Sequence, residues 1–198
     1  FNFLENYAYA ARLGLPDGML PMCYPADAIE PTYIPNWALF YVAEMYKAYL
    51  RTGDFTLARM SRQKVEGVLG FFEKYVNEDG LLENLGGWIF VEWSKANDKA
   101  FVSGVNYPSN MMYAKALESA GRLYGIEEYV CRADKIREKI RRDSFNGTFF
   151  EDNRVRVNGE LQPTGHITET CQYYAFFTGV ATPELYPDLF RRLVNEFG

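Results

Sequence analysis

The sequence predicts an all-α domain built as an α/α toroid, with small β-hairpins in its long loops. Three observations point that way. Apolar residues recur at three- and four-residue steps along most of the chain, which is the period of a helix. The helical segments alternate between ones that are apolar nearly all round and ones with a charged face, so inner helices alternate with outer ones. A Gly-containing signal, Asp17-Gly18-Met19-Leu20, returns as Asp79-Gly80-Leu81-Leu82 and again around Asn146-Gly147-Thr148, a period of about 60–70 residues. Tetratricopeptide and HEAT units repeat every ~34 to ~47 residues and lack long loops at one end. Longer αα-hairpins, with short turns at one end and decorated loops at the other, suit a ring in which inner helices surround the axis and outer helices sheathe them.

The elements follow in order. Phe3, Leu4, Tyr7, Ala10 and Ala11 give a helix over Asn2–Leu13. The next, Trp37–Leu50, carries Trp37, Leu39, Phe40, Tyr41, Val42, Met45, Tyr46 and Tyr49, and should be buried on all sides. Asp54–Val76 is amphipathic, with Arg59, Arg62, Lys64, Glu66, Glu73 and Lys74 available to solvent. The contrast repeats as Ser109–Tyr124 (small and apolar) then Glu127–Arg142 (charged), and as His166–Phe177 (aromatic) then Pro183–Phe197 (mixed). Each inner helix runs into its outer partner through a turn containing Gly53, Gly125 or Gly179, the residue type expected just past a helix end. Asp54 and Thr182, the latter followed by Pro183, read as N-caps. Leu81–Trp93 and Thr148–Leu161 read as β-hairpins, the second with Asn158-Gly159 at its turn. In a toroid the long loops line one mouth, and that mouth is the default binding site. Three hairpins are about half a ring, which should leave apolar flanks exposed. The chain opens on Phe1 and stops directly after an apparent helix, so residues 1–198 read as a single partial domain cut at both ends.

Composition narrows the function. The net charge of −5 offers no electrostatic footprint for nucleic acid or an anionic membrane, and no apolar run approaches the roughly 20 residues that cross a bilayer. Cys23, Cys131 and Cys171 are widely spaced with no CxxC, which argues against a disulfide framework or a zinc site. Scattered thiols lean toward a cytoplasmic setting. His166 is the single histidine, so it makes no metal shell, and no GxSxG context makes it part of a nucleophilic triad. It reads as a cap at the start of an inner helix. With no glycine-rich phosphate loop either, no cofactor is expected.

What remains is aromatic and acidic. The Asp17–Trp37 loop holds Pro21, Pro25, Pro31 and Pro35, which preset φ and exclude helix, and it carries Tyr24, Tyr33, Asp27 and Glu30. Between Gly86 and Asp98, Trp88 and Trp93 flank Glu92. An indole offers an apolar face to sugar C–H groups, and a neighbouring carboxylate accepts hydroxyl hydrogen bonds. Two core tryptophans beside a surface acid would give the same pattern. By strand alternation Glu92 and Trp93 point to opposite faces, so at most one need line the mouth. A paired-carboxylate hydrolase is the chemistry most compatible with such a cavity, but the residues supply candidates without a pair.

These motifs resemble the catalytic domain of bacterial α-L-rhamnosidases, glycoside hydrolase family 78. The residues that carry the likeness are Asp17-Gly18-Met19-Leu20-Pro21-Met22-Cys23-Tyr24-Pro25-Ala26-Asp27, Ile34-Pro35-Asn36-Trp37, Phe90-Val91-Glu92-Trp93-Ser94-Lys95-Ala96-Asn97-Asp98, Asn106-Tyr107-Pro108-Ser109-Asn110, and Thr168 through Phe177. They span nearly the whole chain in order. The resemblance implies part of an (α/α)6 six-hairpin barrel, a carbohydrate substrate, and inverting attack by water on a terminal α-L-rhamnoside between carboxyls about 6.5–9.5 Å apart. The family's general acid lies in an acidic motif before the DGMLP-like loop, and its general base on a loop after the helix matching Pro183–Phe197. Neither motif occurs in this chain, so no catalytic residue is expected within it, Glu92 being the one candidate. By resemblance the chain supplies the sugar-binding wall, with Trp37 and Trp93 as platforms, Trp88 as the competitor of Trp93, Glu92 as a polar contact, and Asp27, Asn36 and Tyr107 as further contacts.

Other readings stay open. Six-hairpin enzymes include glucosidase- and trehalase-like hydrolases, sugar epimerases and lyases, and fold does not fix function. A helical-hairpin scaffold that binds protein predicts an aromatic-poor loop face and a period nearer forty residues. A sugar-binding relative without turnover is compatible too, because the deciding carboxylates lie outside the chain.

Overall fold

The computed structural model describes residue 4, residues 14–23 and residues 33–196. Seven α-helices occur among the described residues: α1 (Pro35–Thr52), α2 (Thr56–Glu73), the single turn α3 (Lys99–Val102), α4 (Tyr107–Tyr124), α5 (Glu127–Ser144), α6 (Glu169–Phe177) and α7 (Pro187–Glu196). A 3₁₀ turn, Lys95–Asn97, precedes α3. Three short strands, β1 (Val105–Asn106), β2 (Asn153–Val157) and β3 (Glu160–Pro163), form one antiparallel sheet in that order. The expected helix over Asn2–Leu13, apart from Leu4, lies outside the described residues.

The burial contrast expected of inner and outer helices is plain for α4 and α5 but not for α1 and α2, each of which buries eight residues. α4 is buried along nearly its whole length, from Tyr107 through Leu123, whereas α5 buries only Ala133, Ile136, Arg137, Ile140 and Ser144. α4 packs against α1 and α6 on either side, while α2 pairs with α1 and α5 with α4. Each buried Leu, Met or Phe in this core contributes about 1.5–3 kcal/mol relative to exposure. α1 departs from burial on all sides: Trp37 and Leu50 are exposed at its two ends. Apolar side chains also stay exposed elsewhere, among them Phe55 and Met60 at the start of α2 and Leu185, Phe190 and Val194 around α7.

The short turns behave as their glycines require. Gly53 and Gly125 sit at φ 68° and 69° and donate their N–H groups back to Tyr49 and Gly121. The third turn is also held from outside. Arg137 Nε donates to the Thr178 carbonyl at 3.1 Å, and Arg141 donates to the carbonyls of Val180 and Gly179 at 2.7 and 3.0 Å. Two guanidinium groups of α5 thereby satisfy the carbonyls at the end of α6. Asp54 accepts from Thr56 N at 2.8 Å but is not the cap expected of it: α2 begins at Thr56, and Phe55 holds the N-cap position with no side-chain bond. Thr182 Oγ1 accepts from Leu185 N at 3.3 Å, but the helix does not run from Pro183. Pro187 lacks an N–H and biases the preceding residue away from helix, so a separate turn ends there and α7 begins at Pro187.

The long loops repeat at the other end of the helices. Asn77 Oδ1 accepts from Asp79 N and Leu81 N; Asn146 Oδ1 accepts from Thr148 N and Phe149 N. Each loop closes with one bridge, Val76 to Leu82 and Phe145 to Phe150. Each is then stapled by an amide of the next inner helix. Asn110 accepts from Leu82 N (2.7 Å) and donates to Leu82 O (3.0 Å). Gln172 accepts from Phe150 N (2.8 Å) and donates to Phe150 O (2.8 Å). Gly18 shares positive φ with Gly80 and Gly147 (84°, 77° and 100°), but it alone is pressed against a helix, where a Cβ would stand 2.0 Å from the Gly67 carbonyl oxygen.

The second expected hairpin forms as β2–β3, with Val157 opposite Glu160 and Asn158-Gly159 at positive φ between them. The first does not form. Residues 84–94 are irregular because Gly86 and Gly87 pack against Tyr33 and Tyr75, where a Cβ would collide with a ring. The partner of β2 is β1, pairing Val105 with Arg154 and Asn106 with Asn153, which stitches the two long loops together.

Candidate functional site

All three inner helices begin at the end where the long loops gather. Asn36, in the first turn of α1, donates to Ser109 Oγ of α4 at 2.8 Å. Ser109 donates in turn to Asn106 Oδ1, the N-cap of α4, whose amide also donates to the Phe101 carbonyl. The Tyr107 N–H donates to the Asp152 carbonyl at 2.8 Å. The Asp152 carboxylate then accepts from Thr168 N and Thr168 Oγ1, both at 2.7 Å, at the N-cap of α6. One chain of hydrogen bonds therefore fixes three helix N-termini relative to one another. Asp152 is fully buried, and burial raises its carboxyl to about 6 despite the two Thr168 bonds that favour the anion. Sequence patterning gave no sign of this residue.

Above this frame lies a group of indoles. Trp37, Trp88 and Trp93 surround the buried Phe90 ring edge-to-face, with centroid distances of 5.9, 5.5 and 4.9 Å. Trp88 and Trp93 also meet each other at 6.2 Å and 69°. The tryptophans remain 42%, 42% and 78% exposed, so Phe90 is their anchor and the indole faces are left to solvent. A purely structural aromatic cluster would bury its largest rings; this one buries the phenylalanine and presents the tryptophans. Trp88 and Trp93 are thus neighbours in one cluster rather than alternatives for one position.

Glu92 and Trp93 are both exposed, contrary to the alternation expected of a strand, because the segment is a turn. Glu92 Oε1 accepts from the Trp93 N–H at 2.7 Å, which leaves its other oxygen to solvent. The loop is held from below: Asn97 Oδ1 accepts from Val91 N at 2.9 Å, and the Tyr174 hydroxyl donates to the Val91 carbonyl at 2.9 Å. Burial, with the nearby Glu92 charge, raises the Tyr174 hydroxyl above its ordinary value, so it stays a donor.

Two expected contacts are not at the surface. Asn36 and Tyr107 are buried, packed where α1 and α4 begin. Their places in the first turns point both between helices. Asp27 lies outside the described residues. His166 does not cap α6; Thr168 does, its Oγ1 accepting from Cys171 N at 3.1 Å. His166 instead stacks on Phe101 at 4.3 Å and meets Asn153 Oδ1 through Nδ1 at 3.1 Å. Asn153 directs its amide nitrogen at the carbonyls of Ala100 and Ser103, so its oxygen faces the ring, and Nδ1 carries the proton. Among the described residues no three His, Cys, Asp or Glu side chains group so as to hold a metal ion, and no helix is long and apolar enough to cross a membrane.

No family model matches the sequence, and no curated protein matches it. Solved structures do. A GH78 family rhamnosidase of Bacillus sp. GL1 superposes with a TM-score of 0.69 at 20% identity, over 86% of this chain and 18% of its own. A rhamnosidase from Klebsiella oxytoca, solved with rhamnose bound, superposes with a TM-score of 0.63 at 16% identity, over 90% of this chain and 34% of its own. The chain therefore spans about a fifth to a third of the length of these enzymes. The likeness is one of fold: these mostly helical residues are arranged as a portion of GH78 rhamnosidases is arranged.

Proposed function

We propose that these residues form part of an (α/α)6 barrel in a glycoside hydrolase that releases terminal α-L-rhamnosyl or similar sugars with inversion, and that they supply its sugar-binding wall. The observation that carries this reading is the group of exposed tryptophans on Phe90, at the end where the inner helices begin, in a fold shared with rhamnosidases. Trp37 and Trp93 offer flat faces to the C–H side of a pyranose, and Trp88 closes the corner beside Trp93. Glu92 accepts a hydroxyl hydrogen bond through the oxygen that the Trp93 N–H leaves free. Asp27, in the proline-rich stretch, is proposed as a further sugar contact on the sequence resemblance alone.

The carboxylic acid that protonates the leaving oxygen, and the carboxylate that activates water on the opposite face, belong to other parts of the full-length protein. The wall's task is to fix the sugar so that both act on one bond, since orientation can account for several kcal/mol of a barrier. The test is hydrolysis of an aryl α-L-rhamnoside by the full-length protein, with the first-formed anomer read by NMR. Release of β-L-rhamnose supports the reading. Release of the α anomer contradicts inversion, and absence of turnover on any rhamnoside contradicts the substrate class.

A further inference from the structure

The grouping of Trp93 with Glu92 recurs on α6. Glu169, in the first turn, and Tyr173, four residues on, share one face of the helix. The Tyr173 hydroxyl donates to Glu169 Oε1, yet the tyrosine is 45% exposed and Glu169 is exposed as well. Among the described residues neither side chain packs in the core. α6 buries Cys171, Gln172 and Ala175 on its other side, and Thr168 rather than Glu169 caps the helix. Among the described residues Glu169 has no other partner, so its second oxygen is open. The Glu169 bond also holds the Tyr173 hydroxyl above its ordinary range, which keeps it protonated and keeps the carboxylate oriented. An exposed ring carrying a fixed carboxylate offers a stacking face and a hydroxyl acceptor together.

Its position is set by two ties. Ser94 Oγ and Thr170 Oγ1 are 3.2 Å apart, one residue beyond Trp93 and one beyond Glu169. The Tyr174 hydroxyl reaches Val91 O, one residue before Glu92 and one beyond Tyr173. The helix and the loop that carry the two aromatic–carboxylate pairs are therefore tied together next to both pairs. Below Tyr173 the same face continues as Phe177, stacked on Phe40 of α1 at 6.0 Å with Lys47 over the Phe177 ring, so the second pair has an apolar floor.

We propose that Tyr173 and Glu169 form a second saccharide subsite beside the tryptophans, which makes the substrate a glycoside whose terminal sugar is joined to another sugar rather than to a lone aryl group. This rests on the reading of the tryptophan group as the wall for the terminal sugar. The test uses the full-length protein with an aryl α-L-rhamnoside and a rhamnosyl-hexose disaccharide, comparing Tyr173→Ala, Glu169→Gln and Trp93→Ala. Tyr173→Ala and Glu169→Gln should each lower kcat/KM on the disaccharide about tenfold, through KM, and change the aryl substrate less than about twofold. Tyr173→Phe, which keeps the ring, should lose less than Tyr173→Ala and guards against misfolding. Trp93→Ala should impair both substrates. If Trp93→Ala impairs both while the α6 variants leave the disaccharide unchanged, or impair both substrates alike, the subsite is refuted and the wall stands. If the unsubstituted protein cleaves neither, the wall is refuted and the subsite with it.

Discussion

Replacing Gln172 by leucine tests the staple on which the position of α6 depends. Gln172 is buried and uses three hydrogen bonds: from Phe150 N to Oε1 at 2.8 Å, and from Nε2 to the carbonyls of Phe150 and Thr168 at 2.8 and 2.9 Å. Leucine has similar bulk and no polar atoms, so the substitution leaves the Phe150 N–H and carbonyl unpaired while the core stays filled. A buried amide group left without a partner costs about 1–3 kcal/mol, and two such groups set an expected loss of about 2–6 kcal/mol. At 1.4 kcal/mol per factor of ten, that corresponds to a fall of about 30- to 20,000-fold in protection of the Phe150 amide. The assay is hydrogen–deuterium exchange read on a peptide spanning residues 145–152, with a peptide inside α4 as the internal reference. Protection at Phe150 within threefold of the parent would refute the staple, because the loop would then be held by something else. Equal loss across α4 would refute its local character.

Further outcomes follow from the buried charges. Asp152 titrates at about 6 in the fold against 3.8 for the free side chain. Its contribution to stability is therefore fully present below about pH 4 and is lost as pH rises to about 6. Urea unfolding between pH 4 and 7 should show that decline, and Asp152→Asn should flatten it; an unchanged slope would remove Asp152 as its source. Arg137 is buried between Glu118 (2.5 Å), Asp134 (3.1 Å) and the Thr178 carbonyl. Arg137→Ala leaves Glu118 paired with Arg122 at 3.0 Å and Lys115 at 3.5 Å but removes the donor at the end of α6, and should cost about 1–3 kcal/mol in denaturant unfolding; a loss under about 0.5 kcal/mol would show that the α6 terminus is held without it.

The α4–α5 pair was legible because burial writes itself into the pattern of each segment: α4 reads as small and apolar and is buried, α5 reads as charged and covers it. The glycine turns and the Asn158-Gly159 hairpin were legible for an equally local reason, a backbone conformation that few residues adopt. Residues 81–93 misled because Trp88 and Phe90 imitate a strand's spacing, while what shapes the segment is the contact of Gly86 and Gly87 with Tyr33 and Tyr75. The amide staples at Asn110 and Gln172 leave no periodic trace, since each joins a side chain to backbone more than twenty residues away. Asp152 was invisible likewise, because burial of a single acid in a loop comes from the elements around it. At the site, tryptophan identity pointed to sugar chemistry, but only the fold shows that Trp37 joins Trp88 and Trp93 on Phe90, and that Asn36 and Tyr107 lie beneath.

The account's central claim is that the exposed indoles hold a sugar. Titration of the full-length protein with L-rhamnose, followed by tryptophan fluorescence, tests it most directly. A saturable change that is lost in Trp93→Ala and kept in Leu50→Ala, an exposed apolar position away from the group, is the predicted result. A change that survives Trp93→Ala, or no change in a protein that is folded and active on another glycoside, would contradict it.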